Sequence, residues 1–427
     1  MWINPPGNSN HCRLWQKWAS FPLVTVGGSG IPWTRCAIEP CYKACQSQIK
    51  LHGSFGVKLM SVLVPTSLTS PSFWNGRKVL VTGHTGFKGS WLSLWLLELG
   101  AEVTGLALPP ETQSSLFLQL GLSQRLDHRV GDIRDADLLK DLVLEIRPDV
   151  VFHLAAQPLV RLSYQEPVAT WATNVMGTIY LLEALRLLDQ PCSCVFVMTD
   201  KVYRNNEWVY GYRENDPLGG HDPYSSSKAA AEIAIGSWRS SYCGPSSHQT
   251  PHLRLASARA GNVIGGGDWA TDRIVPDAMR SLARGEPIPV RNPKATRPWQ
   301  HVLEPLAGYL RLAEVLATDS APSCEAFNFG PTLASNRPVG ELVSSILEHW
   351  PGEWLDQSDP TSPHEANLLH LQIDKAHHQL GWKPCWDYDT TLARTVGWYR
   401  AVHEGAAPLE CCLSDLNAYS QQLKPAL

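Results

Sequence analysis

Two short stretches of this sequence place proton-transfer groups side by side. The first is VFVMTDKVY, residues 195–203, in which an apolar run is followed directly by Thr199, Asp200 and Lys201. A hydroxyl, a carboxyl group and an amine at one point can serve as hydrogen-bond donor, acid and base toward one bound molecule. An ordinary surface turn would contain the same three residues, so their meaning depends on the elements that position them.

The second stretch is DPYSSSK, residues 222–228, which places Tyr224 and Lys228 four residues apart. At the start of a helix both side chains would lie on one face. A neighbouring ammonium group stabilises a phenolate, so we expect the pKa of Tyr224 to be lowered from about 10 toward neutrality. The Tyr-x-x-x-Lys spacing alone is common, and the position of this pair after the fifth predicted strand is what favours a catalytic interpretation.

The elements around these residues alternate regularly from Lys78 onward. Helical patterns separate five apolar segments that predict strands, which lie in KVLVT, EVTGLAL, HRVGDIRD, DVVFHLAA and CVFVMT. This alternation predicts an α/β fold, a Rossmann-like doubly wound parallel sheet, with a smaller C-terminal substrate-binding lobe. Ligands of such sheets bind beyond the carboxyl ends of the strands, so the segment from Thr199 to Lys201 should lie at the ligand edge.

A glycine-rich turn, VTGHTGFKG, connects the first predicted strand to the first long helix. Gly83, Gly86 and Gly89 would let the backbone approach a pyrophosphate at the helix N-terminus, which predicts a dinucleotide cofactor. The second strand runs out in GLAL, without an acid for a ribose 2′-hydroxyl or an arginine for a 2′-phosphate. The choice between NAD and NADP therefore stays open at this point.

The composition excludes several classes of function. The 427 residues are 18% charged with a formal net charge of −4, so neither a nucleic-acid-binding surface nor a polybasic membrane patch is indicated. No uninterrupted apolar segment reaches the roughly 18–20 residues that span a bilayer. The cysteines lack zinc-site spacing, even in the densest group of Cys36, Cys41 and Cys45, and we predict no metal site. We expect a cytoplasmic protein.

From about Phe73 to about Tyr399 the chain resembles the extended short-chain dehydrogenase/reductases, and among them the CDP-glucose 4,6-dehydratases. The resemblance depends on long segments, namely VLVTGHTGFKGSWLSLWL, VFHLAAQPLVRLSY, WATNVMGT, YGYRENDPLGGHDPYSSSK, RAGNVIGGGDWATDRIVPD and RPWQHVLEPLAGY. It implies a hydro-lyase that converts CDP-D-glucose to CDP-4-dehydro-6-deoxy-D-glucose and water. In such enzymes the sugar C4 hydroxyl is oxidised, water is eliminated across C5 and C6, and the hydride returns to C6.

The resemblance also implies a role for each catalytic candidate. Tyr224 and Lys228, with Thr199 as hydrogen-bond donor, would serve the oxidation. Asp200 in its protonated form would be the acid at the C6 hydroxyl, and Lys201 in its neutral form would be the base at C5. Because the hydride is borrowed and returned, the cofactor need not dissociate, and we expect it to be NAD. The product would feed deoxysugars into surface polysaccharide.

Lys201 indicates which branch of the family this chain resembles. Related dTDP-sugar dehydratases are expected to carry Glu at this point, so the lysine indicates the CDP-sugar branch. That branch usually reads Thr-Ser-Asp-Lys-Cys-Tyr, whereas this chain has Thr199 in place of the serine and Val202 in place of the cysteine. The threonine keeps the hydroxyl donor, and we expect the valine to be neutral.

The expected ligand contacts follow from the same motifs. Asp132, after the third strand, would contact the adenine edge. The cofactor-binding candidates are Gly83, Thr85, Gly86, Phe87, Lys88, Gly89, Asp132, Ile133, Leu154, Ala155, Ala156, Tyr224 and Lys228. The substrate-binding candidates are Asn174, Asn262, Arg273, Arg291 and Arg297. The arginines could clamp a pyrophosphate or be solvated surface residues, and a structural role for Asn174 is an equal alternative.

The domain organisation is expected to have three parts. Residues 1–72 have no counterpart in the family pattern and would be a poorly ordered extension, and we hypothesise that residues 1–59 do not belong to the functional product. Residues 73–260 would form the NAD-binding Rossmann domain. Residues 261–427 would form mainly the sugar-nucleotide-binding lobe.

Two other functions share this fold. A nucleotide-sugar 4-epimerase uses the same Tyr/Lys pair but needs no acid and base for loss of water, so Asp200 and Lys201 argue against it. A non-catalytic NAD-sensing protein typically lacks the catalytic tyrosine or lysine, and both are present here. Members of the superfamily usually pair through two long helices each, here around residues 168–188 and 224–240, so we expect a homodimer or homotetramer.

Overall fold

A parallel sheet forms the centre of the part of the chain that the structure describes. The computed structural model describes residues 70–244, 247–318, 324–358 and 368–423. Six strands come first, β1 (Lys78–Thr82), β2 (Glu102–Ala107), β3 (Asp127–Val130), β4 (Val150–His153), β5 (Cys192–Thr199) and β6 (Leu253–Ala260). Each of the five apolar segments that predicted a strand therefore overlaps one.

Shorter strands follow, namely β7 (Val263–Ile264), β8 (Ile288–Val290), β9 (Thr296–Pro298), β10 (Gln300–His301), β11 (Ala326–Phe329), β12 (Asn336–Pro338) and β13 (Trp354–Asp356). Of these, β11 joins the large sheet, whose order is β11-β6-β5-β4-β1-β2-β3 with every neighbouring pair parallel. The order reverses between β1 and β4, which creates the crevice where doubly wound sheets bind ligands. This topology confirms the predicted fold class.

The helices cover both faces of the sheet. They are α1 (Pro71–Trp74), α2 (Phe87–Glu98), α3 (Leu116–Gln119), α4 (Ala136–Ile146), α5 (Val160–Gln165), α6 (Pro167–Trp171), α7 (Gly177–Leu185), α8 (Pro223–Ser241), α9 (Ile274–Ala283), α10 (Leu303–Ala317), α11 (Val339–His349), α12 (Tyr388–His403) and α13 (Pro408–Leu423). Helix α8 begins where Asp222 accepts a hydrogen bond from the Ser225 nitrogen at 2.9 Å, an N-cap that is strengthened by a proline in the first turn.

Two apolar clusters, one on each face of the sheet, form the core. Side chains of β5 alternate between them, with Val195 and Val197 in the first and Phe196 and Met198 in the second. Helices α2 and α10 pack in the first cluster, and α4, α7 and α8 pack in the second. From Cys194 to Met198, strand β5 is therefore apolar on both faces, and Thr199 begins a polar segment.

The long helix expected around residues 168–188 is interrupted. It runs as α6, a π-helical turn over Ala172–Met176, and α7. The wider turn contains the buried Asn174, whose side chain hydrogen-bonds to the Gln157 nitrogen at 2.8 Å and to Ser227 Oγ at 2.9 Å. Such turns are common at functional sites. The sequence did not predict this turn, whose asparagine is held by hydrogen bonds to residues 17 and 53 positions away.

The sequence predicts two domain boundaries, one after residue 72 and one after residue 260. Residues 1–69, which make up most of the expected extension and include its cysteines, lie outside the described residues. The division at residue 260 stays a prediction, although β11 belongs to the predicted second lobe and still completes the large sheet. Within the described ranges, no helix is both long and apolar enough to cross a bilayer.

Candidate active site

The turn between β1 and α2 brings two backbone segments into close contact. Gly83 has a left-handed backbone with φ of 78°, and a Cβ there would lie 2.7 Å from the Ala155 nitrogen. A Cβ on Gly89 would lie 2.1 Å from the Gly83 oxygen. Side chains at these positions would therefore distort the turn. Gly86 is the N-cap of α2 and supplies no capping side chain, so the turn and the helix N-terminus fit a phosphate-bearing ligand.

Polar side chains hold this turn to the neighbouring strands. Thr85 Oγ1 donates to the Leu108 carbonyl, just beyond β2, at 3.0 Å. His84 Nε2 lies 2.7 Å from Nδ1 of His128 on β3. Burial, together with the nearby His128, lowers the pKa of His84 to about 4. Sequence reasoning missed this histidine pair, because its members, one in the turn and one on β3, are 44 residues apart in the sequence.

The segment Leu154–Ala156 lies against the turn from the other side of the strand-order switch. Thr82 Oγ1 hydrogen-bonds to His153 Nδ1 at 2.7 Å and accepts from the Ala155 nitrogen at 3.3 Å. These bonds fix the carboxyl ends of β1 and β4 side by side. The predicted cofactor residues of both strands are therefore brought together.

Asp132 and Ile133, also predicted to bind the cofactor, follow β3. Asp132 accepts from Arg134 Nε at 2.9 Å, and the hydrogen bonds from this guanidinium lower the pKa of the carboxyl group. The Ile133 side chain is buried, and a Cβ on Gly177 would lie 2.6 Å from it. A cofactor contact by Ile133 would therefore use its backbone, and both roles stay predictions.

Thr199, Asp200 and Lys201 lie where β5 ends and a 3₁₀ turn begins. Thr199 Oγ1 donates to Asp200 Oδ1 at 3.0 Å and accepts from the Lys201 nitrogen at 3.3 Å. Asp200 is 3% exposed, and burial raises the pKa of its carboxyl group against the opposing effect of the Lys201 charge. This segment is therefore not an ordinary surface turn, and its carboxyl group is biased toward the protonated form.

Tyr224 and Lys228 are both buried on one face of α8. Lys228 Nζ donates to the Val197 carbonyl of β5 at 3.1 Å. Burial raises the pKa of Tyr224 to about 12, and a hydrogen bond with Thr199 acts in the opposite direction. The expected lowering of the Tyr224 pKa is therefore wrong, because loss of solvent outweighs the other effects and the ammonium group is directed at the strand.

Two further lysines, the half-buried Lys88 and the buried Lys228, act electrostatically on each other near the acid. Burial lowers the pKa of Lys228 to about 8, and the Glu232 charge opposes this shift. Burial also lowers the pKa of Lys88 to about 8; the charges of Arg273 and Lys228 add to this, and Asp200 acts against it. Lys88, predicted to bind the cofactor, therefore also lies among the charges around Asp200 and Lys228.

The three arginines of the predicted phosphate clamp each have a partner within the protein. The hydrogen bonds are Arg273 Nη1 to Asp268 Oδ2 at 2.9 Å, Arg291 Nη1 to Asp272 Oδ1 at 2.6 Å, and Arg297 Nη1 to the Thr296 carbonyl at 3.0 Å. Burial raises the pKa of Tyr224 and of Asp200, and the charges of Arg273 and Arg297, respectively, oppose these shifts. These two arginines therefore lie near the catalytic candidates.

Arg161 on α5 is a candidate ligand-binding residue that sequence reasoning missed. Its Nη1 lies 3.6 Å from Asp272 Oδ1, the oxygen that also accepts from Arg291. Asp272 has φ of 62°, which is uncommon for a residue other than glycine. This bridge joins the helix that follows β4 to the segment that precedes α9. Its place in a helix just after a strand, at the ligand edge, is the signal that could have identified Arg161.

The two predicted asparagines are placed differently. Asn174 accepts from the Gln157 nitrogen and donates to Ser227, so its geometry favours the structural alternative over substrate contact. Asn262 follows β6 at the ligand edge, and a Cβ on the adjacent Gly261 would lie 3.0 Å from Asp200 Oδ2. Asn262 therefore follows the residue that contacts the buried acid, and its substrate role stays a prediction.

Comparison with known proteins places this geometry in a family. Residues 80–395 match the family model described as GDP-mannose 4,6 dehydratase. The CDP-glucose 4,6-dehydratase of Salmonella typhimurium is 47% identical over 350 residues, covering 82% of this chain and 97% of that protein. The dTDP-glucose 4,6-dehydratase of Streptomyces antibioticus is 30% identical, covering 78% of this chain and 95% of that protein.

A solved structure shares the architecture. The dTDP-glucose 4,6-dehydratase of Streptomyces venezuelae, solved with NAD and TYD bound, has a TM-score of 0.64 and is 26% identical; the match covers 78% of this chain and 99% of that one. The family model spans most of the described residues, and the Salmonella relative is matched over nearly its whole length. This chain therefore belongs to the GDP-mannose 4,6 dehydratase family.

Proposed function

We propose that this protein is a CDP-D-glucose 4,6-dehydratase, a hydro-lyase that forms CDP-4-dehydro-6-deoxy-D-glucose and water. The observation that carries the proposal is the 47% identity to the Salmonella enzyme of that name over 97% of its length. The site geometry supports it, because Thr199 joins the buried acid Asp200 to Tyr224 through hydrogen bonds. An acid beside a tyrosine/lysine pair is what oxidation followed by loss of water requires.

We propose NAD as the cofactor, which when bound would supply a reversible two-electron oxidant for the sugar C4 carbon. The turn from Gly83 to Gly89 and the facing segment Leu154–Ala156 would hold its pyrophosphate, since the two glycines lack the side chains that would fill this space. Lys228 would reach the nicotinamide ribose from α8. The Streptomyces venezuelae relative, solved with NAD, supports the choice.

In the oxidation step, Tyr224 would accept the proton of the C4 hydroxyl. Burial disfavours its phenolate form, so other groups have to stabilise it. The Thr199 hydrogen bond and the Arg273 charge both oppose the rise in the Tyr224 pKa that burial causes. Lys228, protonated below about pH 8, adds positive charge on the same helix face.

In the elimination step, the C4 ketone would acidify the C5 hydrogen. Lys201 in its neutral form would remove that proton, and protonated Asp200 would donate to the C6 hydroxyl, which leaves as water. Burial raises the pKa of Asp200 and supports the form that this role requires. Elimination would leave a C5–C6 double bond in the sugar. Return of the hydride to C6 and of the Lys201 proton to C5 would complete the 6-deoxy product, and the proton that Tyr224 took from the C4 hydroxyl would pass through solvent to Asp200.

We further propose a cytoplasmic homo-oligomer that supplies deoxysugars for polysaccharide synthesis. Among the described residues, seven cysteines are free thiols, as is usual in a reducing compartment. Large apolar side chains are exposed on both predicted pairing helices, including Val168 at 81% and Ile233 at 61%. Such exposed apolar surface supports subunit contact.

The test is incubation of the purified protein with NAD and CDP-glucose, dTDP-glucose or GDP-mannose in parallel. We expect a product from CDP-glucose that has lost one water and absorbs in alkali as a 4-keto sugar. Formation of CDP-galactose would instead support a 4-epimerase. Binding of NAD and CDP-glucose without turnover would support a non-catalytic sensor.

A further inference from the structure

A buried ion pair joins the helix of Tyr224 to the central sheet. Glu232 on α8 and Arg259 on β6 are 3% and 4% exposed, and Arg259 Nη2 donates to Glu232 Oε1 at 2.8 Å. Ser257 Oγ donates to the same carboxylate oxygen. Removing two charges from water costs free energy that their attraction often fails to recover, and apolar residues can be as stable in such places. A role other than stability is therefore indicated.

The same guanidinium group also contacts the strand end that carries Lys201. Arg259 Nη1 donates to the Tyr203 hydroxyl at 2.8 Å, and the guanidinium carbon lies 5.0 Å from the centre of the Tyr203 ring. The Tyr203 hydroxyl donates in turn to Asn328 Oδ1 on β11 at 2.7 Å. One cation thereby links β6, α8 and the residue two positions after Lys201.

Glu232 also acts on the catalytic face of α8. It follows Lys228 by one helical turn and Tyr224 by two, so the three side chains share a face. Burial lowers the pKa of Lys228 to about 8, and the Glu232 charge opposes this shift. The other charged or titratable groups that act electrostatically with Lys228 are Lys88 of α2 and His153 of β4.

We propose that Glu232 and Arg259 are positioning residues: through Tyr203 they hold the helix of Tyr224 and the strand end of Lys201 in one rigid unit. The inference rests on the proposed function, because it assumes that one bound sugar reacts first with Tyr224 and then with Lys201. Such a sugar tolerates little movement between the two groups, since a displacement of about 1 Å can cost roughly 100-fold in rate.

The test compares Glu232→Gln with Glu314→Gln. Glu314 is a matched control, since it is 6% exposed and pairs with Arg311 at 3.4 Å within α10, a helix that carries no catalytic candidate. Melting temperature should fall in both variants. With CDP-glucose and NAD, kcat should fall about 10- to 100-fold in Glu232→Gln alone, with KM changed less than about threefold.

The pH profile supplies a readout that lost stability would not change. Without the Glu232 charge the pKa of Lys228 falls, so the decline of kcat/KM at alkaline pH should begin at lower pH in Glu232→Gln than in either the wild type or Glu314→Gln. Tyr203→Phe removes the linking hydroxyl without removing a charge and should lower kcat several-fold. This variant tests the proposal if Glu232→Gln does not fold. Wild-type kcat in a folded Glu232→Gln or in Tyr203→Phe would overturn the proposal.

Amide hydrogen exchange separates this proposal from the proposed function. In Glu232→Gln, exchange should rise together in α8 and in residues 200–203, and stay low there in Glu314→Gln. Unchanged exchange in Glu232→Gln would refute the rigid unit whatever the enzyme turns over. Absence of CDP-glucose turnover in the wild type would refute the function and leave this measurement valid.

Discussion

At the scale of single residues, Lys201 and Tyr224 are proposed to accept protons from different atoms of one sugar. Lys201→Met keeps the length of the side chain and removes its basic nitrogen. Exchange of the C5 hydrogen with deuterated water should therefore cease, and product formation should fall at least about 100-fold. Mass spectrometry of recovered sugar nucleotide measures the exchange. Exchange at the wild-type rate would place the C5 base elsewhere.

Tyr224→Phe should block the reaction one step earlier, at the oxidation of the C4 hydroxyl. The ring stays in its buried position, so the fold is expected to survive, but the C4 hydroxyl loses its proton acceptor. Both product formation and exchange at C5 should fall about 100-fold or more, because the C5 hydrogen is acidic only beside a ketone. Thr199→Ser, which keeps the hydroxyl that bonds Asp200 at 3.0 Å, is the matched variant that should retain activity.

Residue types and spacing predicted where Thr199, Asp200, Tyr224 and Lys228 would gather, because each lies at a strand end or one helical turn from its partner. They did not predict the direction of the Tyr224 pKa. Burial controls that pKa, and burial depends on every element packed around the ring. A neighbour visible in the sequence is one contribution among several.

At the scale of elements, the first turn depends on glycines that no other residue can replace. A Cβ on Gly89 would meet the Gly83 oxygen at 2.1 Å. Gly89→Ala should therefore weaken NAD binding at least about tenfold and lower the melting temperature, measured by titration calorimetry and by thermal unfolding.

The control for this turn is Gly397→Ala, in the middle of α12. A Cβ at Gly397 meets nothing within 4 Å. Alanine favours a helix over glycine, so this variant should keep NAD affinity and be slightly more stable, by up to about 1 kcal/mol. Equal losses in both glycine variants would contradict the crowding argument.

Local patterns predicted the elements that lie next to one another along the chain and missed those that depend on distant partners. The apolar run of β5 and the capped start of α8 were readable, since each is specified by consecutive residues. The π turn around Asn174 and the pairing of β11 with β6 depend on hydrogen bonds to residues far away in sequence. The ion pair between Arg161 and Asp272 was not predicted, for the same reason.

At the scale of the whole molecule, the exposed apolar face predicts how copies associate. Val168, Trp171 and Met176 are exposed together on α6 and the π turn, at 81%, 42% and 39%. Trp171→Asp would bury a charge in a contact between copies and should shift an oligomer toward monomer, as measured by light scattering. Leu333→Asp, at a 70% exposed site outside the predicted pairing helices, should leave the assembly unchanged. An unchanged mass in Trp171→Asp would rule out this face.

Stability should depend on pH through Glu304, which anchors the segment before α12. Burial raises its pKa from 4.5 to about 7, so between these values the folded protein binds a proton that the unfolded chain has lost. The stability of the wild type relative to Glu304→Gln should therefore fall by roughly 2 kcal/mol as the pH rises from about 5 to about 7. Urea unfolding at the two pH values measures this difference.

The comparison with Glu304→Gln is needed because buried histidines act in the opposite direction. Burial lowers the pKa of His84 to about 4 and that of His153 and His301 to about 3, so each stabilises the fold as the pH rises toward their ordinary value of 6.5. These histidines are present in both the wild type and Glu304→Gln, so their effects cancel in the stability difference between the two proteins. A difference that stays constant with pH would contradict the buried-acid argument.

The late position of β11 in the chain has a consequence for synthesis. The exposed edge of β6 has no neighbour until Ala326–Phe329 leaves the ribosome, and Asn328, the acceptor for the Tyr203 hydroxyl, arrives with it. An unpaired strand edge is a template for association with other nascent chains. Ribosomes that pause before Ala326–Phe329 has left the exit tunnel should therefore yield aggregates, whereas a pause after this segment has emerged should yield chains able to complete the sheet.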